Sequence, residues 1–394
     1  MAIPTAMPVI SRNCPAYTND DFSGSFPASA ACDGIYGGQH YWRCATTPAG
    51  NANSGALTQA VYLAYDLSAI PSTQRQSVVW IWYNDPSTDP YDPTILTTNY
   101  FNSPQAYTID INTAAGGSLP GSGWSTQVTV TSETRHSRQH VINMAGANWI
   151  RMRITAINGS DANNNCALNA DVHDIHVANV DNWIWYGNSI DQRGFDHDDG
   201  FISIGTLPAV INNSISTNFP LMENGGMGGF KASDMVANNY LATWLPLFSG
   251  KYVGLNFGTN DANAGGSPVS SFLSNMTTLV QAVLAAGKVP VIHKTICWGS
   301  AAGIQANGPT INSALASLFA SYPSIIVGPD LWAYFSANQS LISNDQIHPT
   351  DPALSQGNGY IAYRQQWANA LLSSVYSSGR AYVVRGHRFA RVLA

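Results

Sequence analysis

Charge is what this chain has least of. Only 10% of its 394 residues are Asp, Glu, Lys or Arg, against about a quarter in an ordinary globular protein. The 17 basic residues are outnumbered by 23 acidic ones, giving a net charge of -6. No basic surface is on hand to hold a nucleic-acid backbone, so nucleic acid is not an expected partner. No apolar run approaches the roughly 18–20 residues that span a bilayer, and no membrane span is expected. Met1–Ile10 lacks the basic start and long apolar centre of a secretory leader. Cysteine is also scarce: Cys14, Cys32, Cys44, Cys166 and Cys297 form no CxxC pair and no zinc-type Cys/His spacing, so neither a structural metal nor a cofactor is expected. Cys32 and Cys44 flank a glycine-bearing turn and would bridge in an oxidising compartment, reduced thiols being the equal alternative. No feature specifies an oligomeric state.

What the chain does have is 45% apolar residues, with Gly, Asn, Ser, Thr and aromatics filling much of the rest. That balance fits a secreted or extracellular protein acting on polysaccharide. At roughly 100–200 residues per domain, the length predicts about two or three domains. From Val61 to Val177, short alternating runs separated by Gly/Pro/Asn/Ser turns predict strands at Val61–Leu67, Ser77–Asn84, Ala106–Ile111, Thr126–Thr131, His140–Met144, Trp149–Ile157 and Cys166–Val177. With no helix between them they predict a β-sandwich over residues 1–180. After Asn182 the pattern changes. Apolar runs at Trp183–Tyr186, Tyr252–Phe257, Val289–Thr295 and Ser324–Val327 alternate with amphipathic stretches at Lys231–Trp244, Val269–Ala286, Asn312–Phe319 and Tyr360–Val375. This predicts an α/β domain with a parallel sheet over residues 181–378. Arg380, Arg385, Arg388 and Arg391 make 379–394 a basic tail, read as a solvated end ahead of a functional patch.

Four turns of the second domain could carry chemistry. Ser189, in Gly187-Asn188-Ser189-Ile190, follows the first strand of that domain, where ligands bind in open α/β sheets. The bland alternative is an ordinary turn serine, and the stretch lacks the last glycine of a GxSxG elbow. In Asp345-Gln346-Ile347-His348-Pro349, a carboxylate three residues before a histidine can hold Nδ1 and leave Nε2 to take a proton from a serine; an Asx turn beside a surface histidine is the alternative. Asn260, in Gly258-Thr259-Asn260-Asp261, is a suitable oxyanion donor or a simple turn residue. Asn224-Gly225-Gly226-Met227-Gly228-Gly229 reads as a turn after the short run Phe219–Met222, where glycines let backbone N–H groups approach a ligand.

In order and placement these blocks resemble those of the SGNH hydrolases, the GDSL-type esterase and lipase superfamily, over about residues 182–376. The resemblance implies a three-layer α/β/α, flavodoxin-like fold and a Ser189, Asp345, His348 triad. It also implies an oxyanion hole of the Ser189 N–H, the Gly229 N–H and the Asn260 amide. The Gly228-Gly229 doublet leaves the oxyanion glycine open by one position. The family usually has Asp where this chain has Asn188; an Asn carbonyl can still accept backbone hydrogen bonds, so Asn188→Asp is expected to maintain or modestly improve activity.

The first domain resembles galactose-binding-like, discoidin-type jelly rolls over about residues 8–179. Ser11–Tyr17, Asp33–Tyr36, Tyr41–Arg43, Val61–Leu67 and Trp149–Arg153 carry that resemblance. Such domains bind glycans or serve as passive structural partners. Trp80, Trp82 and Tyr83 are expected in core and sheet surface ahead of a sugar platform. Strand periodicity points Asp171 and His173 away from Asp174 and His176, against a metal. Asp196–Asp199 lacks a complete calcium-loop pattern and reads as a solvated loop. Trp298 is a candidate for the acyl or sugar pocket, a buried Trp being the alternative.

These features together predict a serine ester hydrolase, a carbohydrate esterase releasing acetyl or another short acyl group. The expected partner is an ester substrate such as an acylated glycan. A general short-chain carboxylesterase or lipase is the enzymatic alternative. A glycan-binding protein with an inactive hydrolase domain is the other, supported by Asn188.

Overall fold

Alternation of apolar and polar residues becomes two antiparallel sheets in the first part of the chain. The computed structural model describes residues 3–22, 24–36, 40–49, 54–84, 103–133, 137–158, 165–195, 206–352 and 355–377. The strands are β1 (Ala16–Thr18), β2 (Trp42–Arg43), β3 (Gly55–Asp66), β4 (Ser77–Asn84), β5 (Ser103–Asn112), β6 (Ser125–Val130), β7 (Ser137–Asn143), β8 (Trp149–Asn158) and β9 (Ala167–Asp174). They form a five-stranded sheet ordered β1-β3-β8-β5-β6 and a four-stranded sheet ordered β2-β9-β4-β7. Between the sheets lies an apolar core containing Leu63, Tyr65, Trp80, Trp82, Ile109 and Met152. The Tyr65 hydroxyl ties the two together by donating to the Ala170 carbonyl at 2.8 Å.

β4 explains its own unbroken apolar run. Val78, Trp80 and Trp82 face the sandwich core, whereas Val79, Ile81 and Tyr83 join Met7, Tyr36 and Leu221 in a separate buried cluster. Antiparallel strands commonly leave one face to water and alternate; this one is covered on both faces, the second by Met7 and Tyr36 together with Leu221 and Phe219 of the α/β part. In this cluster Phe219 and Leu221 of the α/β part meet Val79, Ile81 and Tyr83 of the sandwich.

The second part is built from β10 (Asn182–Gly187), α1 (Ser189–Gly194), α2 (Leu207–Ser214), β11 (Leu221–Gly226), α3 (Ala232–Ala237), α4 (Tyr240–Trp244), β12 (Tyr252–Asn256), α5 (Thr259–Ala264), α6 (Ser267–Ala285), β13 (Val289–Ile292), α7 (Ala302–Ser321), β14 (Ile326–Val327), α8 (Leu331–Ala337) and α9 (Gly359–Ser374). Its sheet is parallel and ordered β11-β10-β12-β13-β14. This is the flavodoxin-like 2-1-3-4-5 order, whose switch point lies between the first and third strands, here β10 and β12. Ile184 and Tyr186 of β10 pack with residues of α3, α4, α6 and α7. Trp183 and Trp185 pack on the other face with α1, α2, α8 and α9. Two helical layers thus enclose the sheet. In α6 the buried positions Phe272, Met276, Leu279, Val280 and Val283 recur at helical spacing.

Several expectations need correction. Asn224–Gly226 is not a turn but the end of β11, because each of its residues pairs with β10. The single helix expected over Lys231–Trp244 divides into α3 and α4 at Asn239, whose φ of 51° is left-handed. α7 starts well before Asn312 and takes Pro309 into its interior. The five cysteines are thiols. Of the two states left open for Cys32 and Cys44, the structure has the reduced one: the β2–β9 register sets Cys44 beside Cys166, and Cys32 lies beside Cys14. The Cys44 N–H donates to the Cys166 carbonyl at 3.0 Å and Cys44 Sγ accepts from the Cys166 N–H at 3.2 Å, while Cys32 Sγ lies 3.8 Å from the Cys14 carbonyl. Asp196–Asp199 and the tail 379–394 lie outside the described residues. No helix among the described residues is long and apolar enough to cross a membrane.

Candidate active site

The end of β10 turns sharply into α1. Gly187 is required there, since a Cβ would lie 2.1 Å from Asp191 Oδ2. Asn188 is the N-cap: its Oδ1 accepts from the Ile190 N–H at 2.8 Å, and Asp191 Oδ2 accepts from the Asn188 N–H at 3.2 Å. This reciprocal cap fixes Ser189 at the first turn of the helix. Asn188 Nδ2 also donates to the Asn256 carbonyl at the end of β12, at 3.3 Å. Asparagine therefore does what aspartate could not, accepting at one atom and donating at the other.

Ser189 Oγ lies 2.7 Å from His348 Nε2, and His348 Nδ1 lies 2.5 Å from Asp345 Oδ2. Asp345 Oδ1 accepts from the N–H groups of Ile347 at 2.9 Å and His348 at 3.0 Å and from the Ser343 hydroxyl at 2.6 Å. Partial burial would raise this carboxyl, but the His348 and Ser343 hydrogen bonds and the two backbone donors outweigh it and hold it well below the usual carboxylate range. An ionised carboxylate at Nδ1 keeps Nε2 as the acceptor facing Ser189. The three residues expected from sequence are thus brought together in hydrogen-bonding order.

Gly229 follows β11 and Asn260 lies in α5 after β12, the two strands that flank β10 in the sheet. Gly229 has a φ of 73°, in the left-handed region, and a Cβ there would meet open space. The Gly228 N–H donates to Gln192 Oε1 at 2.9 Å, so of the two glycines this one is engaged. Asn260 Nδ2 donates to the Phe230 carbonyl at 3.0 Å, which uses one of its two amide hydrogens. Trp298 is buried in the apolar cluster with Trp185 and Trp367. Its neighbour Gly299 packs so closely under the His348 loop that a Cβ would lie 2.4 Å from the Gln346 carbonyl.

Behind Ser189 stand residues that the sequence reading missed. Asp191 Oδ1 accepts from the Tyr363 hydroxyl at 2.6 Å and from Asn256 Nδ2 at 3.0 Å. Burial pushes its carboxyl up to about 7 in spite of these donors. The signal for Asp191 was present, because an Asn three residues before an Asp is a capping pattern. Arg193, Asp351 and Tyr363 gave no local signal. In the sandwich, Asp171 bonds Tyr36, the His173 ring bonds the Met7 carbonyl and Asp174 bonds His176.

No protein-family model matches the chain, and no curated protein matches it. Solved structures do resemble it in part. A lipase/acylhydrolase from Enterococcus faecalis is 14% identical, covering 49% of this chain and 95% of its own at a TM-score of 0.37. An acetylxylan esterase from Geobacillus stearothermophilus is 15% identical, covering 51% and 97% at a TM-score of 0.37. A chitosan-binding module of a chitosanase/glucanase from Paenibacillus sp. IK-5 is 17% identical, covering 42% and 98% at a TM-score of 0.29.

Proposed function

We propose that the chain is a serine ester hydrolase of SGNH type that works through an acyl-enzyme and releases acetyl or another short acyl group from carbohydrate. The observation that carries this reading is the continuous line from Ser189 Oγ through the His348 ring to Asp345, at 2.7 Å and 2.5 Å. His348 Nε2 takes the Ser189 proton as Oγ attacks the ester carbonyl, and Asp345 stabilises the imidazolium. The N–H groups of Ser189 and Gly229 and the free amide hydrogen of Asn260 receive the oxyanion. The imidazolium returns its proton to the leaving alcohol. A water molecule, deprotonated by the same nitrogen, then releases the acid. In this reading Trp298 borders the acyl pocket, since its loop underlies that of His348. Residues 1–180 and 181–378 are taken as the accessory sandwich and the hydrolase domain of a secreted protein. The low charge favours a short acyl chain over a lipid tail. Asn188, the feature that favoured an inactive hydrolase, has a constructive place in the cap and gives that alternative no support.

A fluorophosphonate probe should label Ser189 and no other residue. Ser189→Ala and His348→Ala should each abolish hydrolysis of p-nitrophenyl acetate, with losses approaching about 10⁶-fold in kcat, and Asp345→Ala should cost less, about 10⁴-fold. Folded variants that keep more than a few per cent of activity would sink the triad. Release of acetate from acetylated xylan, measured beside p-nitrophenyl esters from acetate to palmitate, tests the substrate class.

A further inference from the structure

β11 is an edge strand of the parallel sheet and β7 an edge strand of the four-stranded sheet. The two edges meet at one side chain. Ser137 Oγ donates to the Asn224 carbonyl at 3.0 Å and accepts from the Asn224 N–H at 3.1 Å. A single hydroxyl therefore satisfies both backbone groups that Asn224 turns away from its own sheet, at a place where Ser137 is 1% exposed and Asn224 3%. Unpaired edge groups buried without a partner would be costly.

What Asn224 holds makes this contact more than an edge repair. Its Oδ1 accepts from the Gly226 N–H at 2.9 Å and its Nδ2 donates to the Gln192 carbonyl at 2.7 Å. Gln192 in turn accepts from the Gly228 N–H through Oε1, and the Met227 N–H donates to the Gly187 carbonyl at 3.1 Å. The segment leading to Gly229 is thus fastened to the nucleophile helix through Asn224, and Asn224 is fastened to the sandwich through Ser137. Two residues along β7, on the same face, Gln139 exchanges hydrogen bonds of 2.9 Å and 2.7 Å with Asn182, the first residue of β10. One strand of the sandwich grips β10 and β11, the strands that lead to Ser189 and Gly229.

We infer that Ser137 is a positioning residue for the oxyanion-hole loop, and that the β-sandwich is a built-in support of the ester-hydrolase site rather than a tethered module; this rests on the proposed function. Ser137 touches no reacting atom. It acts by fixing Asn224, and the oxyanion donors downstream are effective only when held in place before the charge develops.

The test uses the full chain. Ser137→Ala should lower kcat on p-nitrophenyl acetate by about 10-fold to 10²-fold, with KM changed by less than about twofold, because the oxyanion donors act in the transition state. Affinity for a trifluoromethyl ketone, whose serine adduct places a charged oxygen in the hole, should fall by the same factor. Ser137→Thr, which keeps the hydroxyl, should restore most of the loss. All rates are expressed per site titrated with fluorophosphonate, so that a variant that only unfolds more easily shows wild-type kcat. Such a wild-type kcat in Ser137→Ala would overturn the inference. Should Ser137→Ala fail to fold, Ser137→Cys, similar in size and a weaker hydrogen bonder, is judged by the same two outcomes. Activity surviving in Ser189→Ala would remove the functional reading itself; an inactive Ser189→Ala beside a fully active Ser137→Ala would remove only the role of Ser137.

Discussion

Arg193 donates to one oxygen of Asp351 from both Nε and Nη2, each at 2.7 Å, with both side chains 7% exposed. The pair joins the helix that starts at Ser189 to the segment just after His348, two parts of the chain 158 positions apart in sequence. Arg364 adds a second tie by donating from Nε to the Gly194 carbonyl at 2.7 Å. Removing one partner of such a pair leaves a buried charge, so Asp351→Ala should destabilise the protein by about 3–5 kcal/mol. Denaturant unfolding measures this directly. A loss below about 1 kcal/mol would show that the pair is solvated in the working protein.

Asn260→Ala tests the amide that faces Phe230. Its loss should lower kcat by about 10²–10³-fold while leaving KM nearly unchanged. A rise in KM at constant kcat would instead make Asn260 a ground-state contact with substrate.

Asn188→Asp separates the structural reading from the sequence-based one. The substitution deletes the donor to the Asn256 carbonyl and adds a carboxylate at a site 1% exposed, beside the buried carboxyl of Asp191. The favourable position at a helix N-terminus offsets only part of that. Stability should fall by about 1–3 kcal/mol, and activity should fall with it rather than hold or improve. Thermal unfolding and kcat of the variant decide between the two.

Asp191 should give the protein a characteristic pH dependence. Its carboxyl titrates at about 7 in the folded chain against 3.8 ordinarily, so folding favours the protonated form. The contribution is complete below the ordinary value and is lost as pH rises through about 7. Comparing wild type with Asp191→Asn cancels groups of opposite sign, such as His293, which burial lowers to about 4. The stability difference should move in favour of the variant between pH 4 and 7, by up to about 1.4 kcal/mol per pH unit, and then level off. A constant difference across that range would show that Asp191 remains ionised throughout.

A chain starting near Val180 would expose Leu221 and Phe219, which otherwise pack against Val79, Ile81 and Tyr83, and would leave the Asn224 edge without Ser137. It should be poorly soluble and lose activity on p-nitrophenyl acetate as well as on acetylated polysaccharide. Full activity on the small ester would mean that the sandwich is dispensable for the chemistry.

Local pattern was enough for much of this molecule. Alternating runs located seven of the antiparallel strands, β8 (predicted Trp149–Ile157) to within one residue, because a pleated strand with one face in a core must repeat every two residues; β1 and β2 were too short to show it. The parallel sheet was legible from apolar runs separated by amphipathic stretches. Ser189, Asp345 and His348 were legible because each sits in a short motif whose chemistry is local. The rest depended on contacts between distant segments. That Cys44 faces Cys166 was set by the pairing of β2 with β9. Asn224–Gly226 became strand because it lies in parallel register beside Trp185–Gly187 of β10. Arg193 meets Asp351, and Ser137 meets Asn224, only after the sheets and helices have packed. A sequence pattern fixes which face of an element is apolar; only tertiary structure decides what that face, or an unpaired edge beside it, will meet.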